Sequence, residues 1–189
     1  MKKIFIFFLL LIVSVKSFSQ KTFFSLGPEL ALPGSSYSLS MNAGTGFGGS
    51  FRIESSWGKH ISGMATVSYL GFSRAHPFSS TPSTTTRVKA IPIEAGLKFY
   101  LQERKEIPQG FFISAEVGLM PTTTHFTYTA NPDFNFKETG VSCAPGIGYQ
   151  LGTLEAGFRL QYNLTASGFN VYYYDLRLAY SFLKRKDKN

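Results

Sequence analysis

From Val171 to Phe182 the chain reads V-Y-Y-Y-D-L-R-L-A-Y-S-F and alternates without a break. Tyr172, Tyr174, Leu176, Leu178, Tyr180 and Phe182 occupy one parity, and Tyr173, Asp175, Arg177, Ala179 and Ser181 occupy the other. A period of two sustained this long is a β-strand whose faces meet unlike surroundings, because successive side chains point to opposite sides of a sheet. Two solvents satisfy such a strand. In a water-soluble sheet the apolar face covers a core and the charged face meets water. In a membrane-spanning barrel the apolar face meets lipid and the charges turn inward.

Seven earlier segments repeat the pattern: Thr22 to Pro33, Asn42 to Glu54, Gly63 to Phe72, Ala90 to Leu101, Phe111 to Met120, Val141 to Leu151 and Leu154 to Leu164. Each is about ten residues long, the length that crosses a bilayer at a tilt. Four glycines between Asn42 and Glu54 leave room for a neighbour's side chain. Gly152-Thr153 makes a two-residue hairpin. Ser73 to Arg87 reads as a long polar loop, and Pro121 to Thr139 as a second long segment, rich in Thr and aromatics, turning at Asn131-Pro132-Asp133. No stretch has convincing helical periodicity. Even strand number with alternating short turns and long loops is the up-and-down pattern that puts both termini in the periplasm.

The charges choose between the solvents. Within the eight segments they are Glu29, Arg52, Glu54, Glu94, Lys98, Glu116, Glu155, Arg159, Asp175 and Arg177, all on the polar parity. Lys89 sits at the loop edge of its segment. The rest of the polar parity is mostly Gly, Ser and Ala, unlike a solvated face dense in Lys and Glu. Aromatic residues mark the ends of the apolar faces, as interfacial girdles do. Six acids and four bases suit a narrow interior in which each charge must find a partner. The fold expected is an all-β, eight-stranded antiparallel up-and-down transmembrane barrel over residues 20–182; a secreted soluble barrel or sandwich is the alternative.

The termini fit this reading. Lys2 and Lys3 precede an apolar run from Ile4 to Val15, and Ser17-Phe18-Ser19 gives a small-x-small cleavage pattern. That run is too short for a transmembrane helix, so residues 1–19 read as a cleaved secretory signal. The chain carries +8, of which Lys2, Lys3 and Lys16 supply three. The tail over residues 183–189 supplies a net +3 of the remaining +5 and reads as a basic periplasmic segment. Basic character this local indicates no nucleic-acid groove. Cys143 is the only cysteine, which excludes an intramolecular disulfide; on an apolar face it serves as a small hydrophobe.

An eight-stranded interior is just wide enough to be filled by side chains. The Gly152-Thr153 turn sets Gln150 opposite Glu155 and Gly146 opposite Arg159. A following loop centred near Ser167 sets Arg159 opposite Asp175. These registers predict a network of Arg159, Asp175, Arg177 and Glu29 where the last strand meets the first.

The signal ending S-F-S-Q, the strand I-P-I-E-A-G-L-K-F-Y-L from Ile91 to Leu101, and the final D-L-R-L-A-Y-S-F together resemble the small outer-membrane β-barrel family, the porin-like "outer membrane protein beta-barrel domain" group of Gram-negative envelopes. The resemblance covers the whole chain after residue 19. It implies an outer-membrane location with membrane lipid as the surroundings. The last strand, with Asp175 and then Tyr180 and Phe182, also resembles the terminal signal read by the barrel-assembly machinery. It departs from that signal at Arg177, where Gly is usual, and at Leu183 to Asn189, which run past the terminal aromatic. The family is functionally diverse, so membership implies little about activity.

The side chains that carry chemistry point to binding or structure rather than catalysis. His60, His76 and His125 lie in or near connections without metal-ligand spacing, and no cofactor is expected. The lipid A deacylases, also small outer-membrane barrels, place a His and a Ser two apart on one strand with a Glu on its neighbour. The nearest approach here is His125-Phe126-Thr127 with Glu138, where Thr replaces Ser and the Glu has the wrong parity, so no enzyme is predicted. If the fifth and sixth segments continue upward as a hairpin, Phe126, Tyr128, Phe134 and Phe136 share the inward parity above Met120, Leu70, Phe72 and Tyr173. That is an aromatic collar at the external mouth: a lid packed on itself, or a pocket for a small apolar ligand or a surface partner. The functional expectation is a plugged barrel with a structural or loop-mediated binding role at the cell surface. A narrow porin is the alternative.

Overall fold

Alternation of this regularity, punctuated by Gly and polar turns, leaves the backbone one economical option, which is to satisfy its hydrogen bonds in a closed ladder. The computed structural model describes residues 22–34, 44–75, 84–102, 109–128, 133–165 and 171–183. The segment read as a signal peptide and the tail from residue 184 onward lie outside the described residues. The strands are β1 (Thr22–Pro33), β2 (Gly46–Ser56), β3 (Ile61–Ala75), β4 (Thr84–Ala90), β5 (Ile93–Tyr100), β6 (Gln109–Tyr128), β7 (Phe134–Leu151), β8 (Leu154–Leu164) and β9 (Val171–Leu183).

All pairings are antiparallel, and β1 pairs with β9 from Phe23↔Leu183 to Pro33↔Tyr173, which closes the sheet on itself. β4 and β5 are two lengths of a single stave, since both pair with β3 on one side and β6 on the other. The barrel therefore has eight staves. The fourth is interrupted at Ile91-Pro92, where proline has no N–H to donate. The ladder carries on around the break: the Ile91 N–H donates to the Pro121 carbonyl at 2.9 Å, and the Ser68 N–H donates to the Pro92 carbonyl at 2.9 Å. Gly152 turns β7 into β8 with φ of 62°, a left-handed conformation that favours glycine.

The two faces settle the choice of solvent. Leu26, Phe51, Val67, Leu97, Val117, Ile147, Leu154 and Leu178 all stand on the outside, and all ten strand charges named above are buried inside. A soluble barrel would place these sets the other way round. An exterior so continuously apolar is a lipid-facing surface.

One segment departs from the sequence expectation, and a second takes the hairpin extension considered for the collar. The loop expected over Ser73 to Arg87 is strand at both of its ends, because β3 runs to Ala75 and β4 begins at Thr84; residues 76–83 lie outside the described residues. β6 and β7 continue as a hairpin to Tyr128 and from Phe134. These four lengths rise past the last outward apolar side chains, Tyr69, Ile91, Leu119 and Val141. Lys89 consequently lies within a strand, and with Arg87 and Lys137 it is exposed on the outward parity. The rule that strand charges face inward ends where the apolar belt ends.

Glycines make room where aromatic rings cross the interior. A Cβ at Gly46 would lie 2.5 Å from Cδ1 of Phe72, and one at Gly148 would lie 2.3 Å from Cζ of Phe112. Gly46→Val is thus expected to displace the Phe72 ring and cost about 1–3 kcal/mol, the range for overpacking a filled core. The heated, detergent-solubilised protein should lose its folded gel mobility at a lower temperature than the unmodified chain. An unchanged transition would show that the ring has room to move.

Candidate functional site: the lumen and its external mouth

Strand parity delivers the ten charges to the axis, and the register stacks them in tiers. At the end near the termini, the buried Lys98 Nζ donates to Glu155 Oε2 at 2.6 Å, Glu54 Oε2 at 3.1 Å and Gln150 Oε1 at 3.3 Å. The same ammonium lies 3.9 Å from the centroid of the Phe112 ring, a cation–π contact. Tyr100 donates to Glu54 Oε1 at 3.0 Å and to Gln150 Oε1 at 2.8 Å. Tyr100 and Phe112 form the floor of the lumen, with ring centroids 5.8 Å apart.

In the middle tier two guanidinium groups share Glu155 Oε1, from Arg52 Nη1 at 2.7 Å and Arg177 Nη1 at 2.8 Å. Arg52 also donates to Glu116 Oε1 at 3.1 Å and Thr66 Oγ1 at 3.0 Å, and the Thr66 hydroxyl donates to Glu116 Oε2 at 2.5 Å. Arg177 spends its other donors on Ser50 Oγ at 2.7 Å and Ser25 Oγ at 2.9 Å. Charge-assisted bonds of this kind are the strong ones, and they fix the planar guanidinium groups in place.

Above it Arg159 is the hub. Its Nη2 donates to Glu29 Oε1 at 2.7 Å, its Nη1 to Glu116 Oε1 at 3.2 Å, and its Nε to Asp175 Oδ2 at 2.9 Å. Glu94 Oε2 lies 3.8 Å from Arg159 Nη1 and Glu94 Oε1 accepts from Gln161 Nε2. Gln150 faces Glu155 and Gly146 faces Arg159, the register the two-residue turn dictates, and Arg159 faces Asp175 in the next pairing, β8 with β9. Arg159, Asp175, Arg177 and Glu29 meet at the β9–β1 seam, with Arg177 Nε 3.8 Å from Glu29. The cross-lumen partners Thr66, Ser25, Ser50 and Gln161 carry no individual sequence signal, whereas Gln150 is marked by the Gly152-Thr153 turn. The first four have only membership of the polar parity to mark them.

The mouth is apolar. Leu70, Phe72, Met120 and Tyr173 pack with Ala31, Val88, Ala90 and Val171 in one buried cluster over the upper tier. Phe72 meets Tyr173 edge-on at 5.6 Å, and the Tyr173 hydroxyl lies 3.6 Å from Met120 Sδ. Val88 falls between the expected loop and the fourth segment, and Ala90 lies on the polar parity of that segment, so neither carries a sequence signal for this cluster. Phe126 stacks with Phe134 at 6.4 Å on the raised hairpin, where Phe134 remains 56% exposed and Phe136 is half-buried. The residues expected to form one collar therefore divide into a closed layer, containing Phe72 and Tyr173, and an open pair standing above it. The side chain of Tyr128 lies outside the described residues.

The residues of the hydrolase alternative do not converge. His125 is outward-facing and engages Asn135 Oδ1 at 2.5 Å and Asp133 Oδ2 at 3.4 Å, whereas Glu138 sits on the inward parity opposite Thr122. Among the described residues no group of three or more His, Cys, Asp or Glu side chains is arranged to hold a metal ion.

No protein-family model matches the chain, and no curated protein matches it. Solved structures do. The attachment invasion locus protein Ail of Yersinia pestis, in complex with the heparin analogue sucrose octasulfate, superposes with a TM-score of 0.59 at 12% identity. That match covers 87% of this chain and 100% of Ail. The outer membrane protein OprG of Pseudomonas aeruginosa gives 0.49 at 8% identity over 86% of this chain and 95% of its own. Neisserial surface protein A gives 0.48 at 19% identity over 85% and 95%. The Ail match, at an identity that carries fold alone, agrees with the closed antiparallel ladder: the chain has the fold of the small outer-membrane β-barrel proteins.

Proposed function

We propose that the protein is a non-conducting outer-membrane barrel whose work is done by the surfaces it holds above the membrane. The observation that carries this reading is the buried layer of Leu70, Phe72, Met120 and Tyr173 lying across the mouth above a charge-paired interior. An ion entering the lumen would have to part these apolar side chains and then displace guanidinium–carboxylate bonds. Planar-bilayer recording tests this. The purified barrel should insert without discrete conductance steps, and regular steps altered by Glu94→Gln or Arg177→Gln would overturn the reading.

A second reading is favoured by the Phe126–Phe134 pair, which offers stacked apolar surface beside a ready-made floor of Phe72 and Met120. A small apolar ligand or a partner's aromatic side chain fits that surface. Native mass spectrometry should find such a ligand on the purified protein and lose it in the Phe126→Ala, Phe134→Ala double variant. Absence of any ligand, together with unchanged partner binding in that variant, would remove this reading.

A further inference from the structure

The raised sheet carries a charge pattern that the barrel below does not need. On its outward face the register sets Gly71, Lys89, Thr123 and Lys137 in one row across β3, β4, β6 and β7. The next row up sets Ser73, Arg87, His125 and Asn135 side by side. Lys89 and Lys137 are two staves apart, about 10 Å, and Arg87 is two residues from Lys89, about 7 Å. All three are exposed. The one acid described beside them, Asp133, is engaged by His125 at 3.4 Å. The opposite rim is different: on β1, β2, β8 and β9 the same face presents Leu32, Phe47, Leu164 and Tyr174 among the described residues.

The height of this patch is as informative as its sign. Two residues below Lys89 on the same face is Ile91, and below Lys137 the face reaches Val141 through Thr139; both Ile91 and Val141 are exposed apolar side chains of the lipid-facing belt. Three cations thus start where hydrocarbon contact stops, which is the level of lipid headgroups. A lysine or arginine placed there gains from anionic headgroups, and the described acid nearest in the chain, Glu138, lies on the inward parity.

We infer that Arg87, Lys89 and Lys137 form a docking site for the phosphate groups of a phosphorylated glycolipid in the leaflet at the loop end of the barrel. The site rests on the reading that this end faces the outside of the cell. It holds the lipid on one side only, so the barrel carries a bound glycolipid against β3, β4, β6 and β7 and leaves the opposite rim free. Native mass spectrometry of the full, folded protein in detergent, titrated with bisphosphorylated lipid A, reads it directly. The unmodified protein should retain one lipid A in a salt-sensitive manner. The Arg87→Gln, Lys89→Gln, Lys137→Gln variant should retain it roughly tenfold to a hundredfold less well, as expected for three surface cations. The same glycolipid stripped of phosphate should bind weakly to both. Equal retention by the triple variant, equal retention of the dephosphorylated lipid, or full displacement by millimolar inorganic phosphate would each overturn the site. Orientation is tested apart, with Thr85→Cys in a Cys143→Ala background and a membrane-impermeant maleimide on intact cells. Failure to label would refute the outward-facing reading without touching the result in detergent.

Discussion

Arg159→Ala is expected to destabilise the folded barrel by about 3–5 kcal/mol, the cost of leaving buried charges without their partner. Arg159 is the only cation within 3.2 Å of Glu29 and Asp175 among the contacts described, and it also reaches Glu116. Removing it leaves carboxylates from β1, β6 and β9 facing each other at the seam, with Glu94 from β5 close by. The urea midpoint of the protein folded into phospholipid vesicles, followed by its heat-modifiable gel mobility, should fall steeply, and part of the population should fail to fold. Adding Glu29→Gln and Asp175→Asn to Arg159→Met should recover most of the loss, because a neutral tier no longer carries unpaired charge. A single Arg159→Ala variant within about 1 kcal/mol of the unmodified protein would show that the tier is solvated and the ion pairs incidental.

Glu155→Gln is the second large effect, and geometry separates it from its neighbours. One carboxylate there receives Arg52 at 2.7 Å, Arg177 at 2.8 Å and Lys98 at 2.6 Å. Neutralising it leaves three cations converging on an amide, again at about 3–5 kcal/mol. Asp175→Asn should cost far less, about 1 kcal/mol, since the upper tier already holds more carboxylates than cations and the amide oxygen can still accept from Arg159. Paired unfolding curves decide the matter. Equal losses from the two substitutions would mean that the tiers are not electrostatically distinct.

The sequence was most informative where each residue has one neighbour above and one below. Strand parity needs only alternation, so Glu29, Arg52, Glu155 and Arg177 could be assigned inward without knowing any pairing. Register is fixed locally across Gly152-Thr153, where a two-residue turn leaves no freedom, whereas the pairing of Arg159 with Asp175 rests on the centre expected for the next loop. Contacts that cross the lumen, such as Arg52 to Glu155 between β2 and β8, depend on barrel closure and have no local signature. The strand β4 was missed for a related reason. Above the apolar belt, T-T-T-R-V-K-A has water on its outer face, and among its described side chains Thr86, Val88 and Ala90 turn inward, so the hydrophobic contrast that marks the membrane-spanning lengths fades. The expected collar divides into two levels because parity fixes direction but not height. Phe72 and Phe134 share a direction, yet one is sealed and the other stands above the seal.

The seam between β9 and β1 also sets the tempo of assembly. Arg159 and Glu29 are 130 residues apart in sequence, Arg177 and Ser25 are 152 apart, and Arg177 and Ser50 are 127 apart. None of these bonds can form until the last stave arrives. A sheet of seven staves would hold its bases and acids half-satisfied, with an open edge and no sealed interior to desolvate them. Closure and neutralisation are then a single event, placed at the end of the pathway by the loop entropy of the longest contacts. A partly closed barrel has little to hold it, so the chain is either unzipped or complete.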